Sequence, residues 1–190
     1  VVVAVPSHSV REIMSNTAEF IGDDCIIVNI SKGLEIDTLL TMSSVIAEET
    51  KGKYISIVSL YGPSHAEEVC RKIPTTLVAA SRNENALKRV QNIFSTQVLR
   101  VYTNTDILGV ELGGSIKNVI AIAAGICDGI GFGDNTKAAI LTRGITEMTR
   151  LGIAMGALEK TFAGLSGIGD LFVTCSSKHS RNRFVGEEIG

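Results

Sequence analysis

Short β-branched runs alternate with helix-period segments over the first hundred residues. Val1 to Val5, Cys25 to Ile30, Tyr54 to Leu60 and Val98 to Tyr102 predict strands, with a weaker signal at Thr76 to Ala79. Between the first two, Val10, Ile13, Met14, Thr17 and Ile21 fall on one helical stripe, and Leu39, Met42 and Ile46 repeat the pattern before the third. Glu84 and Lys88 stand at i,i+4 and predict a small stabilising pair on a further helix. Strand, helix, strand at this spacing predicts right-handed crossovers in a parallel sheet covered on both faces, the α/β class. After about Asn104 the strand signal stops. Helices are expected from roughly Asp106 to Ile126, from Asp134 as an N-cap, and from near Ser180, with Arg143 and Glu147 as another i,i+4 pair. The pattern divides the chain into residues 1–104, the later part of a doubly wound sheet, and residues 105–190, the first part of an α-helical domain.

Composition narrows the function classes. The 190 residues are 45% hydrophobic and 20% charged, the balance of a chain with a real core. A formal charge of −2 offers no broad positive field, so no nucleic-acid partner is expected. The longest apolar stretch without a charge, Asn118 to Cys127, is far short of the ~20 residues of a membrane crossing, so no span is expected. Val1-Val2-Val3-Ala4-Val5 has neither an initiator Met nor a basic segment and reads as a buried strand, not a signal peptide, with the cytoplasm as default compartment. Cys25, Cys70, Cys127 and Cys175 lie far apart, which predicts buried, reduced thiols and no metal site.

In an open parallel sheet, ligands bind where the strands end. That rule singles out Pro6-Ser7-His8, Ser31-Lys32-Gly33 and Tyr61-Gly62-Pro63-Ser64-His65, each of which alone is also ordinary turn chemistry. Lys117 is the only basic residue between Arg100 and Lys137, on a helix face shared with Ile120 and Ala121. Either its stem snorkels toward water, or burial lowers its pKa and makes it a proton carrier near neutral pH. Gly125 to Gly133 and Gly164 to Gly169 follow helices, so they predict helix ends and close packing and not a dinucleotide turn; G-x-G-x-x-G does not occur in the chain. The cluster Lys178, His179, Ser180, Arg181, Asn182 and Arg183 opens a helix. It is a solvated basic turn, a nucleic-acid patch short of aromatic partners apart from Phe184, or a phosphate site of hydroxyl, free N–H groups and an Arg fork.

The run Gly113-Gly114-Ser115-Ile116-Lys117-Asn118-Val119, with Cys127-Asp128-Gly129 and Gly131-Phe132-Gly133-Asp134-Asn135-Thr136-Lys137-Ala138-Ala139, closely resembles the NAD(P)-dependent sn-glycerol-3-phosphate dehydrogenase family. Ser31-Lys32-Gly33, Gly62-Pro63-Ser64, Gly169-Asp170-Leu171, Thr174-Cys175 and Ser180-Arg181-Asn182-Arg183 extend the likeness over essentially the whole chain, and Arg150-Leu151-Gly152 is similar to the bacterial form. The resemblance implies a partial Rossmann-like domain followed by a 6-phosphogluconate-dehydrogenase-like helical substrate domain. It implies interconversion of glycerol 3-phosphate and dihydroxyacetone phosphate with NAD or NADP, which supplies phospholipid synthesis. By the same resemblance Lys117 is the catalytic proton carrier and Asp170 orients it. Lys32, Gly62, Ser64, Lys117, Asn118, Asp170, Thr174, Ser180, Arg181 and Asn182 line the substrate, and Lys32, Ala66 and Arg181 touch the cofactor. His65 stands where the family commonly carries an apolar ring and is expected to be a neighbour, not an acid or base. The family's Gly-rich turn, its NAD-or-NADP selecting segment and its last helices have no counterpart here, so the chain is expected to be the middle of the enzyme and inactive by itself. A small molecule is the expected partner, and a homodimer is among the assemblies allowed. The alternatives are a related β-hydroxyacid dehydrogenase and a non-catalytic phosphate-binding module.

Overall fold

All five strands form, and they lie side by side in chain order: β1 (Val2–Val3), β2 (Ile26–Asn29), β3 (Ser56–Tyr61), β4 (Thr75–Ala80) and β5 (Leu99–Asn104). The computed structural model describes residues 1–190 throughout. The first strand is shorter than its apolar run and is not buried as expected, since Val1 and Val2 are exposed at the outermost strand, and the weakly signalled fourth is a full interior strand. The sheet is not wholly parallel. β1, β2 and β3 run together, as do β4 and β5, but β4 is antiparallel to β3, with Tyr61 opposite Val78 and Ser59 opposite Ala80. The helix between them, α3 (Ala66–Cys70), has 5 residues. It is too short to serve as the usual covering helix of a parallel crossover, and the chain turns back into β4.

Alternation along the strands covers both faces. Ile27 packs with Val10 and Met14 of α1 (Val10–Thr17) and Met42 and Ile46 of α2 (Met42–Glu49), while Val28 and Val58 turn to Leu87 and Val90 of α4 (Glu84–Phe94). Ile13 and Thr17 leave the predicted stripe for solvent, since α1 ends at Thr17 and buries only Val10 and Met14. Leu39 is likewise not on α2: it is exposed in the preceding loop at φ 58°. The pairs Glu84–Lys88 and Arg143–Glu147 are not among the ion pairs formed, as expected of exposed charges whose attraction scarcely offsets side-chain entropy. All four cysteines are free, but contrary to expectation only Cys127 and Cys175 are buried: Cys25 is half-buried, and Cys70 is exposed on α3, which buries no residue fully.

Beyond Asn104 the chain is helical. Asp106 caps α5 (Ile107–Gly129) by accepting from Gly109 N–H at 2.9 Å, and α6 (Asp134–Ala154), α7 (Glu159–Phe162), α8 (Asp170–Ser176) and α9 (Arg181–Ile189) gather around it. Asp134 is the first residue of α6, not its N-cap, a place taken by Gly133. With 23 residues, α5 is long and apolar enough by length and composition to cross a membrane, which corrects the count made from Asn118 to Cys127. Half of its most apolar window is buried inside the chain. Val110 packs on Tyr61, Val78 and Ala80 of the sheet, and Leu112, Ala121 and Ala124 join Met148, Phe162, Leu171 and Cys175 in the helical core. The glycine strings are packing devices, as predicted. A Cβ on Gly125 would lie 2.0 Å from the Arg183 carbonyl oxygen, and one on Gly186 2.1 Å from that of Ile122, so α5 and α9 touch backbone to backbone.

Candidate active site

Lys117 meets Asp170 and Thr174 in the interior. The ammonium, on a residue only 6% exposed, donates to Asp170 Oδ1 and to Thr174 Oγ1 at 2.7 Å. Asp170 opens α8 and Thr174 follows one turn later, its hydroxyl donating to the Asp170 carbonyl at 2.6 Å. A five-residue π-turn, Leu165–Gly169, delivers Asp170 to this place. It fits because Gly113 lets α5 approach the Ser166 backbone, where a Cβ would lie 2.4 Å from the carbonyl oxygen. A carboxylate at a helix N-terminus is favoured by the helix dipole.

A second ammonium reaches the same carboxylate. Lys32, in the loop after β2, donates to Asp170 Oδ2 at 2.6 Å and to the Gly62 carbonyl after β3 at 3.1 Å. Two of the three predicted strand-end loops therefore converge on the cluster, while the third, Pro6-Ser7-His8, reaches only Gly33 through Ser7. Gly62 sits at φ 145°, where a side chain would be strained and would crowd Thr76 and Leu77. Ser64 Oγ donates to the Gly62 carbonyl at 3.3 Å. Two ammonium groups against one carboxylate leave one net positive charge, which suits an anionic ligand. Burial, and after it the charge of Lys32, lowers the Lys117 pKa from 10.5 to about 8 against the opposing pull of Asp170. The sequence alternatives for Lys117 thus resolve in favour of burial. Burial pushes the neighbouring Cys175 thiol up to about 11, which leaves it inert.

The remaining predicted residues make no hydrogen bond to this cluster. Asn118 is half-buried on α5 next to Lys117, Ala66 is exposed at the start of α3, and Asn182 is half-buried at the start of α9. Ser180 is buried and caps α9, accepting from Arg183 N–H at 3.2 Å. Arg181 is exposed and makes no ion pair within the chain. Arg183 is not part of an open Arg fork: it is held by Asp128 and by Glu187 at 2.9 Å, while Asp128 also holds Lys137 at 2.5 Å. The His65 ring lies 6.0 Å from that of His179, and its Nε2 is buried without a partner. That contact brings the loop after β3 to the start of α9.

Sequence reasoning passes over Glu111, Asn29 and Tyr61, all fully buried beside the cluster. A charged side chain flanked by apolar neighbours on a helix is the signal that picks out Lys117, and Glu111 on the same helix carries it too. A cavity of 540 Å³ between α4 and β5, lined by Glu84, Lys88 and Lys160 among others, contains none of the cluster. As a seat for a nicotinamide cofactor, the edge of the sheet offers Lys32 and the unpartnered His65 Nε2 beside glycine-bearing loops, which fits the polar nicotinamide end.

The description "NAD-dependent glycerol-3-phosphate dehydrogenase N-terminus" matches residues 1–87, and that for the C-terminus of the same enzyme matches residues 106–190. The chain is 60% identical over 191 aligned residues to the glycerol-3-phosphate dehydrogenase [NAD(P)+] of Prosthecochloris aestuarii, covering all of this chain and 58% of that protein. It is 57% identical to one from Salinibacter ruber, covering 99% of this chain and 55% of that protein. The crystal structure of glycerol-3-phosphate dehydrogenase from Coxiella burnetii superposes on 99% of this chain and 57% of its own, with a TM-score of 0.94 at 38% identity. The chain thus spans somewhat over half the length of the curated relatives it matches.

Proposed function

The chain belongs to the NAD-dependent glycerol-3-phosphate dehydrogenase family, and from that premise we propose that the full protein interconverts sn-glycerol 3-phosphate and dihydroxyacetone phosphate with NAD or NADP in the cytoplasm. In this reading residues 1–104 belong to the cofactor-binding domain and residues 105–190 to the substrate domain. Lys32, Ala66 and Arg181 would hold the cofactor. When bound, a nicotinamide supplies or accepts the hydride.

The observation that carries the proposal is the state of the Lys117 ammonium. It has three donors, and Asp170 and Thr174 engage two of them. The third is free for a substrate oxygen. In reduction the C2 oxygen of the ketone gains negative charge and takes the proton of Lys117, which becomes a neutral amine; in oxidation the neutral amine takes the hydroxyl proton back. With its pKa lowered to about 8 by burial and by Lys32, the group exchanges a proton at modest cost. Asp170 bridges the two lysines and stabilises the charged form of Lys117. Arg181, Ser180 and Asn182 at the start of α9 would receive the phosphate, supported by the free guanidinium and the helix N-terminus.

The test is turnover of dihydroxyacetone phosphate by the full-length protein with reduced nicotinamide, compared with Arg181→Ala. Loss of a charged hydrogen-bond donor costs about 1.5–3 kcal/mol, so KM for the phosphate ester is expected to rise about 10- to 100-fold with little change for unphosphorylated dihydroxyacetone. An equal effect on both substrates would remove Arg181 from the phosphate site. Turnover of a β-hydroxy acid in place of the phosphate ester would move the protein to the related class.

A further inference from the structure

Glu111 is 0% exposed, six residues before Lys117 on α5, and takes part in no ion pair. A buried carboxylate without a cation costs several kcal/mol unless its oxygens are fully hydrogen-bonded. Here the donors are neutral: Ser43 N–H at 3.0 Å, Ser43 Oγ at 2.6 Å, Ser59 Oγ at 2.8 Å and Asn29 Nδ2 at 3.2 Å. Ser43 is in the first turn of α2, so the positive end of that helix faces the carboxylate.

The network continues toward the site. Asn29 Nδ2 also donates to Tyr61 Oη at 3.0 Å, Asn29 Oδ1 accepts from Ser31 N–H at 3.0 Å, and Tyr61 Oη donates to the Ser31 carbonyl. Ser31 Oγ donates to the Val5 carbonyl at 2.5 Å. The residue directly before Lys32 is thus held through its N–H, its carbonyl and its hydroxyl. The Tyr61 ring stops against Gly114 of α5, where a Cβ would lie 2.7 Å from it, and the Lys32 ammonium lies 5.7 Å from the ring centroid. Burial and the nearby Glu111 charge raise the Tyr61 pKa, so its hydroxyl keeps its proton and remains a donor.

We propose that Glu111 and Tyr61 are positioning residues, which tie α5 and the N-terminus of α2 to Ser31 so that Lys32 is held on Asp170 and the Lys117–Asp170 pair is set for proton transfer. The rate readout of this inference rests on the dehydrogenase reading above; its structural readout does not. The groups that face Lys117 are Asp170, Thr174 and Cys175 on α8 and Lys32 on the loop, and only Lys32 depends on the network.

The experiment compares full-length wild type with Tyr61→Phe, which keeps the ring, and Glu111→Gln, which keeps the shape. Misplacement of a catalytic group by about 1 Å can cost ~10²-fold, so kcat is expected to fall about 10- to 100-fold with KM changed only a few-fold. Titration of the Lys117 ammonium by side-chain NMR of the ligand-free protein is expected to show its midpoint moving up from about 8, since a loosened Lys32 no longer opposes its charge. An unmoved midpoint with unchanged kcat in Tyr61→Phe overturns the proposal, as does a lower melting temperature with neither change. If Glu111→Gln fails to fold, Tyr61→Phe decides alone. If wild type does not turn over dihydroxyacetone phosphate, the dehydrogenase reading fails, and the Lys117 midpoint still decides the positioning role.

Discussion

Lys117→Met in the full-length protein is expected to lower kcat by about 10²- to 10⁴-fold, the usual loss when a general acid–base group is removed. Methionine matches the lysine stem in length and suits an apolar helix face. Asp170 is not orphaned by the change, because Lys32 still pairs with it at 2.6 Å. The fold should therefore survive, and a melting temperature near that of wild type is the control. Because the proton moves in the transition state, kcat and kcat/KM should fall together and KM should stay. The pH dependence gives an independent sign. Lys117 must be charged to reduce the ketone and neutral to oxidise the alcohol, so the reduction rate falls as pH rises through about 8 while the oxidation rate climbs to a plateau above it. Both limbs should vanish in the variant. Stability moves in the same window: a lysine whose folded pKa is about 8 instead of 10.5 is under-protonated when folded, so wild type gains stability as pH rises from about 8 towards 10.5. The methionine variant should lack that gain in denaturant titrations. Turnover within a few-fold of wild type would sink the assignment of Lys117.

The sequence makes the strands legible because Val and Ile runs report burial on two sheet faces, and it makes α5 and α9 legible because Asp106 and Ser180 are caps. The direction of β4 is not legible, since residue preferences of a strand are the same either way and a connection of this length permits both. The site was half readable. Lys117 betrays itself by being the only basic residue on a helix face of apolar neighbours, but its partner Asp170 is 53 residues away and is brought there by a π-turn and the Gly113 contact with Ser166, which no periodicity records. The resemblance to a known family supplied that pairing. Arg183 and Arg181 are indistinguishable by residue type and differ only in the fold, where Asp128 and Glu187 occupy one guanidinium and leave the other free.

Gly125→Ala separates helix propensity from packing, because the two act with opposite sign. In an exposed helix the change would stabilise by about 1 kcal/mol. On α5 it adds a methyl group 2.0 Å from the Arg183 carbonyl oxygen and 2.8 Å from the Glu187 nitrogen, both backbone atoms that no rotamer can move aside. An ordinary carbon–oxygen contact needs about 3.5 Å, so α9 must shift by over an ångström. Overpacking of this kind costs about 1–3 kcal/mol, enough to outweigh the propensity gain. The shift is resisted on the other side of the contact, where Asp128 holds both Arg183 and Lys137 and so ties α9 to α5 and α6. The carbonyl that must give way belongs to Arg183 in the first turn of α9, so the displacement is passed to the adjoining Ser180, Arg181 and Asn182. The expected result is a lower melting temperature together with a KM for dihydroxyacetone phosphate raised about tenfold, a displacement of about 1 Å being able to cost up to ~10²-fold. Gly22→Ala, where a Cβ meets nothing within 4 Å, is the control and should stay within about 0.5 kcal/mol. If Gly125→Ala melts at or above the wild-type temperature, propensity has won, and the backbone contact between α5 and α9 cannot be what fixes the end of the site proposed to bind phosphate.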